Sequence, residues 1–435
     1  MAFDTSVSGI LAASADLGII GNNIANSSTA GFKSSKGEFT DVYAATLLGT
    51  PGTAIGQGVS LNSVTQDFSQ GNIEFTSNSL DLAINGSGFF RVSDEGAASY
   101  TRAGSFQLDR EGFIVNASGL QLQGYPTDDE GNITGELGSL QLSTALVDPL
   151  PTGDISVVAN VDSRDLAALP WNPSGAVDGS ALNAFASPPV TPKPDQYNSS
   201  TSLTIYDGLG NPHVLSLFFV KTDAENTWET RIAIDGVEVD AVDADGNPTV
   251  PTIPFQANGQ LDEAIKPLLI NVVDWAPLNN EGIPNGADAQ SFNIDLSNFT
   301  QFGAAFSVSS VQQDGYTTGQ LRGLEIDDSG VLFTRYTNGQ SRQQGQIAIA
   351  NFTNPNGLQP NGDTTFVETF SAGAPTITTP GLSGTGLLQA GAIESSNVEI
   401  TQQLVRMIIA QRNFQANAQM IQTEDAVTQT VINLR

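Results

Sequence analysis

The two ends of the chain carry the same apolar repeat, and that repeat limits what lies between them. Near the N-terminus Phe3, Ile10, Leu17 and Ile24 recur every seventh residue, with Val7 and Leu11 beside them. Near the C-terminus Ile400, Leu404, Met407, Phe414, Ala418 and Ile421 keep the same spacing, with Gln411 as the polar intruder. On an α-helix a seven-residue repeat makes one narrow seam, so both ends are predicted to be coiled-coil helices paired with each other. Ser396 followed by Glu399 has capping-box spacing and places the second helix start near residue 397. From there to about residue 432 the helix would span roughly 54 Å at 1.5 Å per residue. After Glu424 and Asp425 the stripe shifts to Val427, Val431 and Leu434.

Charge separates these ends from the middle. The 435 residues hold 46 Asp and Glu against 16 Lys and Arg, a formal charge of −30. Residues 1–70 contribute −3, residues 397–435 contribute nothing, and residues 71–396 therefore carry −27. Like charges repel at close quarters, so the acidic middle belongs in solvent while the nearly neutral ends are free to pack densely. Two readings of the ends remain open. A helical hairpin could close a single globular domain, or the pair could be packed on many sides by copies of itself. Around the C-terminal seam stand Gln402, Gln403, Gln411, Gln415, Asn417, Gln419, Gln422 and Gln429, where a solvated helix normally carries charge. Amides hydrogen-bond to neighbours without the desolvation cost of buried ions, which favours the second reading.

Between the ends the pattern is β. Residues 80–84, the Asn85-Gly86 dipeptide and residues 89–92 read as a hairpin. Strand signals at 106–108, 113–115 and 120–122 follow at meander spacing, separated by Asp- and Asn-containing turns. Pro188, Pro189, Pro192 and Pro194 interrupt the chain before strand signals at 203–206, 214–220 and 228–234. Strand signals resume at 323–336 and 346–351. The fold class is therefore mixed: paired α-helical termini plus two or more mainly β domains, nested along an elongated subunit. The stretch 21–39, GNNIANSSTAGFKSSKGEF, is an ordered turn or a mobile tether, and pattern does not choose between them.

Composition removes several functional classes. Five lysines in an acidic chain do not suit duplex binding, so no nucleic-acid partner is expected. The absence of Cys excludes disulfides, thiol nucleophiles and Cys-ligated zinc, and a single histidine excludes any two-histidine mechanism within one chain. His213 follows Asn211-Pro212 ahead of a strand and reads as a surface or strand-edge residue. No Gly-x-Ser-x-Gly elbow, P-loop or dinucleotide fingerprint is present. Carboxylates cluster in solvated turns such as 128–132 and 243–247, and Asp243-Ala-Asp245-Gly246 lacks the third ligand of an EF-hand loop. No enzyme activity, metal or cofactor is expected. Residues 1–9 carry Asp4 and no basic residue, Ser14 and Asp16 break the next apolar stretch, and the run 214–220 is far shorter than a membrane span. Neither a secretory leader nor membrane insertion is expected.

The segment Asn22-Asn23-Ile24-Ala25-Asn26, continuing through Thr29-Ala30-Gly31-Phe32-Lys33, resembles the N-terminal motif of the bacterial flagellar rod and hook axial proteins. The run 404–421, LVRMIIAQRNFQANAQMI, is similar to the matching C-terminal helix of that family. Segments 80–92, 102–126 and 346–369 resemble the family's inner β domain in its hook branch, and 203–213 resembles that branch's outer domain. About 165 residues stand where the shorter distal-rod branch has no insertion, which favours the hook branch over the rod. A β-rich surface adhesin, the alternative from another class, leaves the paired ends unexplained.

That resemblance implies a core helix over residues 1–28 paired with another over 397–435, a tether over 29–70, an inner β domain from 71–150 with 316–396, and an outer β domain over 151–315. It implies an extracellular homopolymer, a curved tube acting as a universal joint between rod and filament. Its implied partners are the hook cap, the distal rod, the hook–filament junction proteins and the flagellar type III export apparatus, without a cleaved signal. Phe39-Thr-Asp-Val-Tyr43 resembles the Phe-x-x-x-hydrophobic export-recognition element, and an aromatic pair packed beneath the tether is an equal reading of Phe39 and Tyr43.

Overall fold

A computed structural model describes residues 2–43, 56–94, 96–128, 131–171, 192–243, 246–279 and 283–433, which are mostly β with one long helix near each end. Pro188, Pro189, Asp245 and Leu434, all named above, lie outside the described residues. The chain divides into two compact units. The first holds 1–144, 322–335 and 341–435, and the second holds 145–321 with 336–340.

In the first unit α1 spans Ala2–Ala25 and α2 spans Ile400–Asn433. Asp4 sits in the first turn of α1, where the helix dipole favours a negative charge. The helix stops at Ala25, three residues before the expected boundary at 28. Its last turns tighten through Ser27 N–H to Ile24 O and Thr29 N–H to Asn26 O, and the chain then turns at Gly31 with φ +68°. By hydropathy and length Phe3–Ala25 could cross a membrane, contrary to the reading that no run was long enough. In the fold one stripe of that helix lies against α2.

The capping box at Ser396 and Glu399 does not form. Ser396 Oγ accepts from Val398 N–H, a two-residue turn, and the helix begins only at Ile400 because Asn397 is already committed to the other end of the chain. The expected tether, 29–70, contains an antiparallel ribbon: β1, Ser35–Asp41, pairs with β2, Val59–Gln66. Ser35 lies opposite Gln66 and Asp41 opposite Val59, with a bulge between Glu38 and Phe39.

The rest of this unit interleaves early and late sequence. Strands Ser341–Ile347, Gln121–Pro126, Phe89–Asp94, Ala97–Thr101, Thr365–Val367 and Gln359–Gly362 lie side by side in that order. The three meander strands Phe106–Leu108, Ile114–Asn116 and Gln121–Pro126 pair in succession. The expected 80–92 hairpin is absent: strand Leu82–Asn85 pairs with Leu387–Ala390 instead. Gly386 lies against Gly86 at the end of that strand, so the returning C-terminal segment occupies the edge that a hairpin would need. Phe90, Ile114, Leu122, Leu140, Ile347 and Leu388 form the main core, and Phe89, Tyr100, Phe352 and Phe366 form a second, edge-to-face cluster with Phe68.

In the second unit Ser199–Tyr206, Pro212–Lys221 and Thr227–Ile234 make an antiparallel meander. Strand Asp154–Asp162 runs parallel to Gln290–Asp295 and Thr300–Phe302 and antiparallel to Ser307–Gln313. Its burial alternates, putting Ile155, Val157, Ala159 and Val161 inward against Phe219, Trp228, Phe292 and Phe299. The unit extends beyond 151–315 because bridges join Val147 to Gly319 and Leu150 to Tyr316.

Candidate functional site: the paired chain ends

The helices run antiparallel. A Cβ on Gly9 would overlap the Asn417 side chain, and Asn23 Nδ2 lies 3.4 Å from Gln403 Oε1. In this register Ala2 comes level with about residue 424, and the last turns of α2 run past the end of α1.

The buried layer is not the predicted seam. It consists of Ser6, Ala13, Ile20 and Asn23 on α1 and Gln403 and Ala410 on α2. Asn417, facing Gly9, is half-buried. Apart from Asn23, these positions keep the seven-residue period but fall three residues after the large apolar ones. Small side chains at Ser6, Ala13 and Ala410 let the two helix axes approach closely, and Ile20 is the large apolar side chain buried beside them. Val7, Ile10, Leu17 and Ile24 are half-buried, as are Met407, Ala418 and Ile421, while Ile400, Leu404, Gln411 and Phe414 are exposed. Asp16 faces Arg406 across the pair, and burial pushes its carboxyl up despite that guanidinium.

The motif after α1 is a network of backbone substitutes. Asn23 is fully buried; its amide donates to Ser35 O at 2.8 Å and its Oδ1 accepts from Ser35 N–H at 2.8 Å, so one side chain imitates a strand neighbour and joins helix to ribbon. Asn26 Oδ1 accepts from the Thr29 hydroxyl and its Nδ2 donates to Asn22 O, folding the turn. Asn22 stays exposed and Phe32 half-buried. Gly31 is required twice over: its φ is positive, and a Cβ there would overlap the Ala103 backbone.

Beneath this turn lies a charged node. Lys33 Nζ is 2.6 Å from Glu394 Oε1 and also donates to Ser69 O at 2.7 Å. Arg102 reaches Glu394 Oε2 at 3.1 Å and Gly86 O at 2.8 Å, and Gly71 N–H donates to Glu394 Oε1. Glu394 is 0% exposed, Lys33 2% and Arg102 4%. Burial lowers both cations' pKa values, and the Glu394 carboxylate opposes that shift. Asn397, just beyond, accepts from Ser34 N–H and donates to Asp67 O at 2.7 Å. The start and end of the chain are therefore locked to the inner β sheet at one buried point.

Lys33 carried a motif signal, whereas Arg102, Glu394 and Asn397 carried none. The small layer had a signal in the fixed three-residue offset from the apolar one. Phe39 and Tyr43 are 38% and 50% exposed, the Phe39 ring beside Gly37 and the Tyr43 ring beside Gly56. His213 is a correction of another kind, being 4% exposed inside the second unit and far in sequence from the paired ends. The turn beginning at Asp243 closes when Asp243 Oδ1 accepts from Asn247 N–H at 2.9 Å.

Known proteins match this sequence from end to end. Residues 3–33 match the family model of flagellar basal body rod protein, and 83–162 that of the flagellar hook protein FlgE/F/G D1 domain. Residues 177–316 match the flagellar basal body protein FlaE D2 domain, and 389–434 the flagellar basal body rod FlgEFG protein C-terminal region. The chain is 37% identical over 446 residues to flagellar hook protein FlgE of Escherichia coli strain K12, covering 100% of both. It is 35% identical over 439 residues to that of Salmonella typhimurium, again with complete coverage of both. The crystal structure of Helicobacter pylori flagellar hook protein FlgE2 has a TM-score of 0.51 at 14% identity, covering 74% of this chain and 100% of that one, and so shares the fold. Full-length identity above a third, together with family matches at both ends and in both β regions, means that the chain belongs to the flagellar hook protein FlgE family.

Proposed function

We propose that this chain is the structural subunit of a flagellar hook, a homopolymer of curved tubular form that passes torque from rod to filament. The observation that carries this reading is the apolar surface left open on the helix pair. Leu11 is 65% exposed, Val405 53%, Ile408 51%, Ile409 52% and Met420 56%. Burying the half of each such side chain still in water gains roughly 1–2 kcal/mol, and sister copies supply that burial by extending the pair into a coiled-coil core. Together with these, Val7, Ile10, Leu17, Ile24, Ile400, Leu404, Met407, Phe414, Ala418 and Ile421 are proposed to line the contacts, with Gln411 donating amide hydrogen bonds between copies.

The acidic second unit supplies contacts of a different kind. Exposed charges are screened within about 8–10 Å at ordinary salt, so copies of this unit slide past one another at little cost while the core holds. The helix core and the acidic second unit then divide cohesion from shear. The reading places the subunit outside the cell, delivered by the flagellar type III apparatus without a cleaved signal, with cap, distal-rod and junction proteins as partners. Exposed Phe39 and Tyr43 on the ribbon are proposed as the export-recognition pair.

Electron microscopy of concentrated, purified full-length protein tests the assignment. Curved tubes are expected. Straight rigid rods would favour a rod subunit, and particles that remain single at every concentration would contradict the polymer reading.

A further inference from the structure

The one histidine of the sequence stands where two carboxylates and three turns converge. His213 Nδ1 lies 2.6 Å from Asp235 Oδ2 and Nε2 lies 3.3 Å from Asp207 Oδ2. Asp207 belongs to the turn between strands Ser199–Tyr206 and Pro212–Lys221, and Asp235 to the turn after Thr227–Ile234. Asn285, five residues ahead of strand Gln290–Asp295, donates to Asp207 Oδ2 at 2.6 Å. The Trp275 ring meets the imidazole edge-on at 5.0 Å and closes the site.

Hydrogen-bond arithmetic favours the charged ring. Asp207, 0% exposed, also accepts from Leu209 N–H, Asn211 N–H and Asn211 Nδ2, so every approach to its oxygens is a donor and leaves no room for a carboxyl proton. Asp235 Oδ1 accepts from Val214 N–H at 2.8 Å. Both imidazole nitrogens therefore face acceptors. A neutral ring has one N–H and would turn a lone pair toward one of the two carboxylates; only the imidazolium satisfies both.

We propose that His213 is a pH-sensitive clamp of the second unit: as an imidazolium it ties the Asp207, Asp235 and Asn285 turns together, and alkaline loss of its proton releases them. Burial alone would lower the histidine pKa, and the hydrogen bonds and charges of Asp235 and Asp207 more than offset it, holding the pKa above the ordinary value. Burial would raise both carboxyls, and their hydrogen bonds hold them below the usual range. Asp207 and Asp235 are the charged groups acting on the ring. Because the folded-state histidine pKa is raised, its contribution is complete below about pH 6.5 and disappears as pH climbs through the folded value. The carboxylates contribute above about pH 3.9 and cease to do so as pH falls through their depressed values. The clamp is closed between those limits.

A single histidine gives one pair of imidazole C–H signals, so the full-length chain can be titrated without assignment. The midpoint is expected above 6.5, and in Asp235→Asn, whose site is partly solvated, it should move down toward that value. Hydrogen exchange at Asn211, Asp235 and Asn285, after division by intrinsic rates, should report an opening constant that grows roughly tenfold per pH unit between 6.5 and the midpoint. Core amides of strand Asp154–Asp162 serve as the reference. A midpoint at or below 6.5, a midpoint unmoved in Asp235→Asn, or opening constants flat across the titration would each overturn the clamp.

Discussion

The helix pair and the second unit solve the same problem in opposite ways. The second unit encloses Trp228, Phe219 and Phe292 at 0–2% exposure and carries a net −17 by sequence, so it is finished as a single copy. The helix pair is nearly uncharged, touches itself through Ser6, Ala13, Ile20, Gln403 and Ala410, and leaves Leu11, Val405, Ile408, Ile409 and Met420 open. Stability measured on one copy should therefore say much about the second unit and little about the helices, whose proper reference is the assembled state.

Four substitutions sharpen that contrast. Trp228→Ala should cost the second unit about 3–5 kcal/mol, seen as an earlier denaturant transition, while α1 and α2 keep their helicity and pairing. Lys33→Met removes one charge-assisted hydrogen bond from Glu394, whose charge Arg102 still balances, and should loosen the joint between helices and inner sheet by about 1.5–3 kcal/mol. Proteolytic release of the ends would report it, and equal protection in variant and parent would refute the node's role. Ala13→Leu overfills the close helix contact and should cost about 1–3 kcal/mol, read from helix ellipticity on heating. Ile408→Ser is expected to change single-copy stability by less than about 0.5 kcal/mol and yet to raise the concentration needed for assembly. An unchanged assembly threshold would mean that this exposed side chain meets no sister copy.

Much of this was legible in the residues, and the remainder was hidden for identifiable reasons. Two terminal helices, the meander at 106–126 and the β character of the middle follow from period and turn chemistry. The seam was placed on Phe3, Ile10, Leu17 and Ile24, which flank the contact, because Ser6 and Gln403 are polar, Ala13 is small, and Ile20 stands off that repeat. The strand Leu82–Asn85 chose a partner some 300 residues away over the Asn85-Gly86 turn beside it, since its buried face matches Leu388. Glu394 was invisible for a related reason: Lys33 lies 361 residues from it and Arg102 lies 292, and no local pattern reports a contact at such separation. His213 looked like a strand edge because both of its carboxylates come from neighbouring turns.

Hydrogen exchange along α2, recorded for single copies and again after assembly, addresses the incompleteness of the helix pair most directly. Amides of 404–421 are expected to exchange rapidly in single copies and to slow by orders of magnitude on assembly, while strand Pro212–Lys221 is unchanged. If α2 in a single copy is already as protected as that strand, the helix pair is complete by itself and sister molecules are not what covers it.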